Sequence, residues 1–235
     1  RDSISTVGTA SIIGRVGGTT GDLWGYKLVR DPEGNVVIGD NGLPEQADEI
    51  EYVGTAYADW KAGWYNEFSY KGFKLGILLD GQVGGTIYSM SFHKMMEQGK
   101  LTQSLNGRLP GTEYYMDASD PRIAAAGYTP QSGMYMIAPG VVRNDDGTFS
   151  PNTKVVTIES FYKEYYRRAN VETNSFDASF LKIREIRLEY ELPKKVLEKS
   201  PFSKASIAVY GRNLWCFTDY PLFDPESVAL SLIHI

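Results

Sequence analysis

Trp60-Lys-Ala-Gly-Trp-Tyr-Asn-Glu-Phe-Ser-Tyr-Lys-Gly-Phe-Lys-Leu-Gly-Ile-Leu-Leu-Asp80 decides how the rest of the chain is read. Side chains on a strand alternate between its two faces. Trp60, Ala62, Trp64, Phe68 and Tyr70 therefore share one face, with Asn66 the single polar intruder, while Lys61, Gly63, Tyr65, Glu67 and Ser69 share the other. Lys71-Gly72 is a tight-turn pair, and Phe73, Leu75, Ile77 and Leu79 carry the apolar face back against Lys74, Gly76 and Asp80. The spacing predicts a hairpin of two long strands.

A second pair obeys the same rule. Ile186, Leu188, Tyr190 and Leu192 alternate with Glu185, Arg187, Glu189 and Glu191, and after a link from Lys194 to Lys199 the chain returns through Ala205, Ile207 and Val209. Leu181 and Ile183 are out of phase with Ile186, which predicts a bulge near Arg184 or Glu185. Upstream, Leu23 to Val29 reads as a strand entering the turn Asp31-Pro-Glu-Gly-Asn35, with Val36 to Ile38 returning. Between the hairpins lies Gly84 to Asp177, with short helices expected over Ser91 to Gln98 and Glu159 to Ala169. It is too long to be an idle connection.

Composition agrees with a β fold and removes several functions. Aromatics make up 13% of the 235 residues and there are 24 glycines, a mixture that favours strands and turns. The net charge of -5 argues against nucleic acid as a partner, because phosphates demand a basic face. Cys216 is the sole cysteine and His93 the only histidine ahead of the terminal residues, so no disulfide framework or Cys/His metal site can be assembled. No cofactor is expected. No run of about 18 apolar residues exists, which excludes a membrane helix. A membrane β-barrel stays open, since its strands need only about ten alternating residues.

Motifs that suggest chemistry read better as structure. Gly14-Arg-Val-Gly-Gly-Thr-Thr-Gly21 lacks the Gly-Lys-Ser/Thr ending of a phosphate loop, and no amphipathic helix follows it. Asp31 to Asn35 and Asn144-Asp-Asp-Gly-Thr148 lack the glycine and glutamate placement of a calcium loop and are expected to be hairpin turns. Glu185, Glu189 and Glu191 could supply paired glycosidase carboxylates, but with Arg187 between them they read as a hydrated polar wall. Without a Gly-x-Ser-x-Gly elbow or a second internal histidine no hydrolytic triad can be drawn. Tyr114, Tyr115, Tyr128 and Tyr135, in the long segment, could stack on sugars or peptides, or simply pack the loops together.

Alternation alone fits a soluble sandwich or an outer-membrane barrel. The predicted strands are about eleven residues long, about twice the usual soluble strand. Trp60 and Trp64 sit at one end of the first hairpin and Tyr70 and Phe73 at the other, as aromatic girdles at two membrane interfaces would. If Lys71-Gly72 and Pro193 to Lys199 are periplasmic turns, Gly84 to Asp177 lies outside and the strand from Ala205 to Phe217 runs outward. Arg212 is then expected to face the lumen. Strict alternation would turn Asn213 toward lipid, so either Gly211 marks a bulge that changes the phase or Asn213 already lies at the interface.

The ends read as those of a piece of a larger protein: Arg1 stands where a Met would begin a reading frame, and one closing strand is expected after Glu226. The last six residues, Leu230-Ser-Leu-Ile-His-Ile235, match one reading frame of a common transposon sequencing adapter and are set aside as a scar; the other reading is a genuine apolar strand.

Several motifs then occur in a fixed order: Gly54 to Trp60, Asn66-Glu-Phe-Ser-Tyr-Lys-Gly-Phe-Lys-Leu75, Asp80-Gly-Gln-Val-Gly-Gly-Thr-Ile-Tyr88, Ala178-Ser-Phe-Leu-Lys-Ile-Arg-Glu-Ile-Arg-Leu-Glu-Tyr-Glu-Leu-Pro193, and Val209-Tyr-Gly-Arg-Asn-Leu-Trp215 with Asp224-Pro-Glu226. Together they resemble the signature of SusC/RagA-type TonB-linked outer-membrane proteins of the Bacteroidetes, and Gly21 to Tyr26 is similar to the family's upstream Gly-Tyr element. Ala58 stands where that family usually has proline, and Glu189 where glycine is common.

The resemblance implies an all-β fold in which residues 1–229 are the C-terminal portion of a 22-stranded antiparallel transmembrane β-barrel, 84–177 forming a long extracellular loop region and 230–235 the scar. It implies a place in the Gram-negative outer membrane, in contact with its lipid. It further implies import of oligosaccharides or peptides, driven by the TonB complex through an N-terminal region not present in this sequence. A SusD-like surface lipoprotein would be the lid. Such a protein is a transporter and not an enzyme. The alternatives are a soluble carbohydrate-binding β-sandwich module and a secreted glycosidase fragment.

Overall fold

The computed structural model describes residues 3–7, 10–198, 201–222 and 224–226. The stretch 230–235 lies outside the described residues. The chain divides into two compact units, one of residues 56–87 and 176–229, the other built from residues 1–55 and 88–175.

The first unit holds the two hairpins. Strands Trp60–Tyr70, Phe73–Val83, Phe180–Glu191 and Ser206–Phe217 form one antiparallel sheet in that order. The first pair runs without a slip from Trp60↔Val83 to Tyr70↔Phe73. Its turn has Lys71 at φ 45° and Gly72 at φ 88°, the type I′ pattern whose twist matches the flanking strands. The second pair is joined through Pro193 and a short helix, Lys194–Leu197. Among the described residues this sheet is open and no closed barrel forms; of the 22 strands expected of the whole, four long ones are here.

The bulge expected in the third strand is present. Against the second strand, the register moves between Ile183↔Leu79 and Glu185↔Leu78, leaving Arg184 as the extra residue. Against the fourth, Glu185↔Arg212 is followed by Ile183↔Trp215, so Asn213 and Leu214 together face Arg184. Asn213 is the residue that turns, at φ 49°. This corrects the placing of the irregularity at Gly211, which stays paired with Ile186. Gly211 is small for a different reason: a Cβ there would lie 2.6 Å from Leu214 Cδ2.

The second unit has its own small sheet, Ser3–Val7, Ala10–Ile13, Asp22–Gly25 and Glu51–Thr55 in sequential order. The glycine-rich loop ahead of Asp22–Gly25 is closed by Asp22, whose carboxylate accepts from the Thr19 amide (3.0 Å) and hydroxyl (2.5 Å), and a strand follows it. The strand predicted to reach Val29 stops at Gly25, and beyond it only single bridges form, such as Leu28↔Gln46 and Arg30↔Val36. Asp31 shapes the predicted turn by accepting from the Glu33 and Asn35 amides (2.9 and 2.8 Å). Asn144 to Thr148 likewise joins the paired strands Val141–Arg143 and Phe149–Pro151.

Residues 88–175 do not stand alone as a loop. Val171 N donates to Tyr26 O (3.0 Å), Ile38 N to Val141 O (2.7 Å), and Arg30 pairs with Glu172 (3.0 Å), which ties this segment to residues 1–55. The two predicted helices are Met90–Glu97, capped by Ser89, and Ile158–Tyr165, capped by Thr157. The latter ends short of Ala169 because the Asn170 side chain donates to the Glu164 and Tyr165 carbonyls (2.8 and 3.1 Å), which a continuing helix would need for itself.

Candidate functional site: a two-faced sheet and its ion cluster

The register of the long strands sorts their side chains into rows. On one face these are Tyr70–Phe73–Tyr190–Ile207, Phe68–Leu75–Leu188–Val209, Asn66–Ile77–Ile186–Gly211, Trp64–Leu79–Ile183–Trp215 and Ala62–Gly81–Leu181–Phe217. Large apolar members remain open: Trp64, Phe68, Leu188, Val209 and Trp215 are each at least half exposed. In water such an area would drive association. Rings sit at both ends of the face, with Phe73 and Tyr190 packed at 4.4 Å between centroids at one end and Trp215 and Phe217 at 6.2 Å at the other.

Strand length gives the face its height. From Trp60 to Tyr70 the chain rises about 33 Å, and a tilt of about 40° projects that to about 25 Å, the height of the apolar band in outer-membrane barrels. Asn66 lies in the middle row, the one polar side chain of that face.

The opposite face is charged and internally paired. Arg212 Nε donates to Glu185 (2.9 Å), Arg187 pairs with Glu189, and Lys74 lies 3.9 Å from Glu191. Each of the three glutamates considered as glycosidase carboxylates thus has a cationic partner.

The densest charge lies at the end of the sheet next to the bulge. Lys182, only 2% exposed, contacts the carboxylates of both Asp224 and Glu226, and its ammonium is 4.6 Å from the centre of the Phe180 ring. Arg184 bridges Asp80 and Glu226, at 2.6 Å each. The Asp224 carboxyl is partly buried, which raises its pKa, but the Lys182 hydrogen bond and the Glu226 amide outweigh this and hold it below the ordinary value. The segment that brings Asp224 and Glu226 here is itself fastened. Thr218 Oγ1 donates to Ser179 O (2.9 Å), and the buried Tyr220 ring meets Phe176 edge-on at 5.5 Å.

The sequence marks Asp224-Pro-Glu226 but gives no hint of its partner. The signal lies in the third strand, where Lys182 and Arg184 interrupt apolar residues two apart, so both cations project from one face.

The four tyrosines separate into two groups. Tyr135 is 9% exposed, donates its hydroxyl to Thr129 O (2.9 Å), and belongs to a core cluster with Met116, Ile123 and Val155. Tyr128 stacks on it at 4.9 Å. Tyr114 and Tyr115 are half-buried and lie on the turn that follows Leu109. Burial, then the neighbouring Glu113 charge, raises the Tyr114 hydroxyl pKa. Among the described residues no group of three His, Cys, Asp or Glu side chains could hold a metal ion, and no helix is long and apolar enough to cross a membrane.

Long antiparallel strands with one open apolar face bordered by rings, and one ion-paired face, have the surface pattern of a transmembrane β-barrel wall. The chain is similar in sequence to a TonB-dependent receptor: TonB-dependent receptor P3 of Formosa agariphila is 24% identical over 199 residues, 84% of this chain. The match spans 16% of that protein's length. No family model matches the chain. Among solved structures, that of the RagAB peptide importer in its closed-closed state is 15% identical with a TM-score of 0.49, covering 88% of this chain and 21% of that one. A second RagAB peptide transporter structure has a TM-score of 0.45 at 15% identity, covering 87% and 20%.

Proposed function

We propose that the chain is part of the wall and outer mouth of a TonB-dependent outer-membrane transporter, importing oligosaccharides or peptides together with a SusD-like lipoprotein. The observation that carries this reading is the open apolar face of the four-stranded sheet, about 25 Å tall and edged by aromatic rings, which suits lipid and not water. In this reading the ion-paired face looks into the lumen, and no residue acts as a catalyst. Residues 88–175 belong outside the membrane, with Tyr114 and Tyr115 in contact with substrate and Tyr128 and Tyr135 packing the loops that carry them.

The test uses the full-length protein in its native outer membrane. Extraction that depends on detergent, heat-modifiable mobility on gels, co-purification of a surface lipoprotein and uptake abolished by deleting TonB are expected. Recovery as a soluble monomer in the absence of detergent would instead overturn this reading in favour of the two soluble alternatives, the carbohydrate-binding module and the glycosidase fragment.

A further inference from the structure

Within the unit of residues 1–55 and 88–175, helices Met90–Glu97 and Ile158–Tyr165 border a cleft of about 860 Å³. Its charged lining is Lys94, Lys100, Arg108 and Lys163 against Glu97 and Glu159, a surplus of two positive charges in a chain whose net charge is -5. Lys94 is committed to Glu97 (2.8 Å) and Lys163 to Glu159 (2.5 Å). Among the described residues, Lys100 and Arg108 make no side-chain hydrogen bond or salt bridge. The surplus therefore sits on two identifiable groups.

Two glycines leave room for Arg108, and its backbone is anchored. Gly99, at φ 67°, lies against its guanidinium so closely that a Cβ would fall 2.7 Å from both terminal nitrogens. Gly133, at φ 69°, lets its backbone pass equally near, since a Cβ there would fall 2.5 Å from the Arg108 carbonyl oxygen. The preceding turn is fastened by the Tyr162 hydroxyl, 3.1 Å from the carbonyls of Gln103 and Asn106. A guanidinium on an anchored backbone, near enough to Glu159 to act on it but in no salt bridge, is a fork matched to a planar carboxylate. The volume falls within the range of about 300–1,000 Å³ that accommodates a ligand larger than a lone ion, and Met134 and Ile158 add apolar lining.

We propose that this cleft is a substrate subsite for a carboxylate-bearing oligomer, with Arg108 as the anchoring fork and Lys100 as the second cation. The inference rests on the transporter reading and specifies its substrate class. The carboxylate could come from an acidic glycan or an acidic peptide, and the two sources separate in the experiment.

Binding to the full-length transporter is measured by calorimetry with four probes: tetragalacturonate, a tetra-aspartate peptide, neutral xylotetraose and a neutral tetra-serine peptide. One acidic probe is expected to bind more tightly than its neutral counterpart. Arg108→Gln should weaken it about tenfold or more, the loss typical of a charge-assisted contact. Lys100→Gln should weaken it several-fold, and because Lys100 is exposed this variant keeps the test open if Arg108→Gln folds poorly. Lys154→Gln, a cation paired with Asp40 away from the cleft, should change nothing. Tetragalacturonate responding identifies a glycan source, and tetra-aspartate a peptide source. Acidic probes binding equally to wild type and both variants, or neutral probes binding as well as acidic ones, overturns the subsite and leaves TonB-dependent uptake standing. Loss of all TonB-dependent uptake in the wild type overturns the transporter reading and the subsite with it.

Discussion

Replacing Lys182 with Met tests whether the ion cluster holds the segment after Phe217 against the sheet. The Lys182 side chain is 2% exposed, whereas those of Asp224 and Glu226 are 38% and 40% exposed. Breaking a fully buried pair costs about 3–5 kcal/mol because the remaining charge is stranded. Here both remaining carboxylates see water, Glu226 keeps Arg184 at 2.6 Å and Asp224 keeps the Glu226 amide at 2.9 Å, so neither is left fully stranded. Discounting for that exposure leaves about 2–3 kcal/mol. The assay is urea unfolding of the full-length protein in lipid vesicles, followed by tryptophan fluorescence, with limited proteolysis of residues 218–226 as a local readout. Lys182→Met combined with Asp224→Asn and Glu226→Gln should recover most of the loss, because no carboxylate of the segment is then left without its cation and Arg184 keeps Asp80. The pH dependence has a defined sign. The folded pKa of Asp224 lies below its ordinary 3.8, so its contribution is full above that value and is lost as pH falls through the lower folded one. Equal stability of Lys182→Met and wild type, or a triple variant no better than the single one, would refute the latch.

Three further outcomes follow from the sheet and the tyrosines. Ile77→Arg, in the middle row, should cost about 2–4 kcal/mol in vesicles and Leu181→Arg, in the end row beside Phe217, about 1 kcal/mol or less; the folded fraction on unheated gels reads both, and equal costs would deny the depth axis. Gly211→Val should cost about 1 kcal/mol or less, because the added Cβ meets only the far end of the exposed Leu214 side chain, and adding Leu214→Ala should remove even that, as the same urea titration would show. Tyr135→Ala should lose about 3 kcal/mol as a core truncation, whereas Tyr114→Ala and Tyr115→Ala should leave stability within about 1 kcal/mol and weaken substrate binding in calorimetry.

The long hairpins were legible because an eleven-residue alternation with Lys71-Gly72 at its turn admits one register, and slipping by one residue would turn Trp64 and Phe68 to the charged face. The bulge at Arg184 was legible for the same reason, as a break of phase between Ile183 and Ile186. The grouping of residues 88–175 with 1–55 was not. It depends on backbone bonds such as Val171 to Tyr26, which leave no side-chain pattern. The cleft escaped too, because Lys100 and Arg108 acquire meaning only when Gly99 and Gly133 bring distant backbone close. Tyr128 and Tyr135 carried the same sequence signal as Tyr114 and Tyr115, and only packing separated them.

The bulge explains why so many charges can meet at one end of the sheet. On a regular strand Arg184 and Glu185 would point to opposite faces, and one charge of an adjacent pair would enter the apolar rows. With Arg184 unpaired in the ladder, both reach the charged face: Arg184 goes to Asp80 and Glu226, and Glu185 to Arg212. The fourth strand matches this with Asn213 in the left-handed region, and Leu214 folds over Gly211. Trp215 and Phe217 thereby return to the apolar face opposite Ile183 and Leu181. Gly211, Arg212 and Asn213 are thus one device: a gap for Leu214, a partner for Glu185 and the turn that restores phase. Asn213→Val should break the last of these, because a β-branched residue is poorly tolerated at φ 49°. The expected result is a loss of about 1–3 kcal/mol in the urea titration, with Asn213→Gly close to wild type; if both variants lose the same amount, backbone conformation is not what Asn213 supplies.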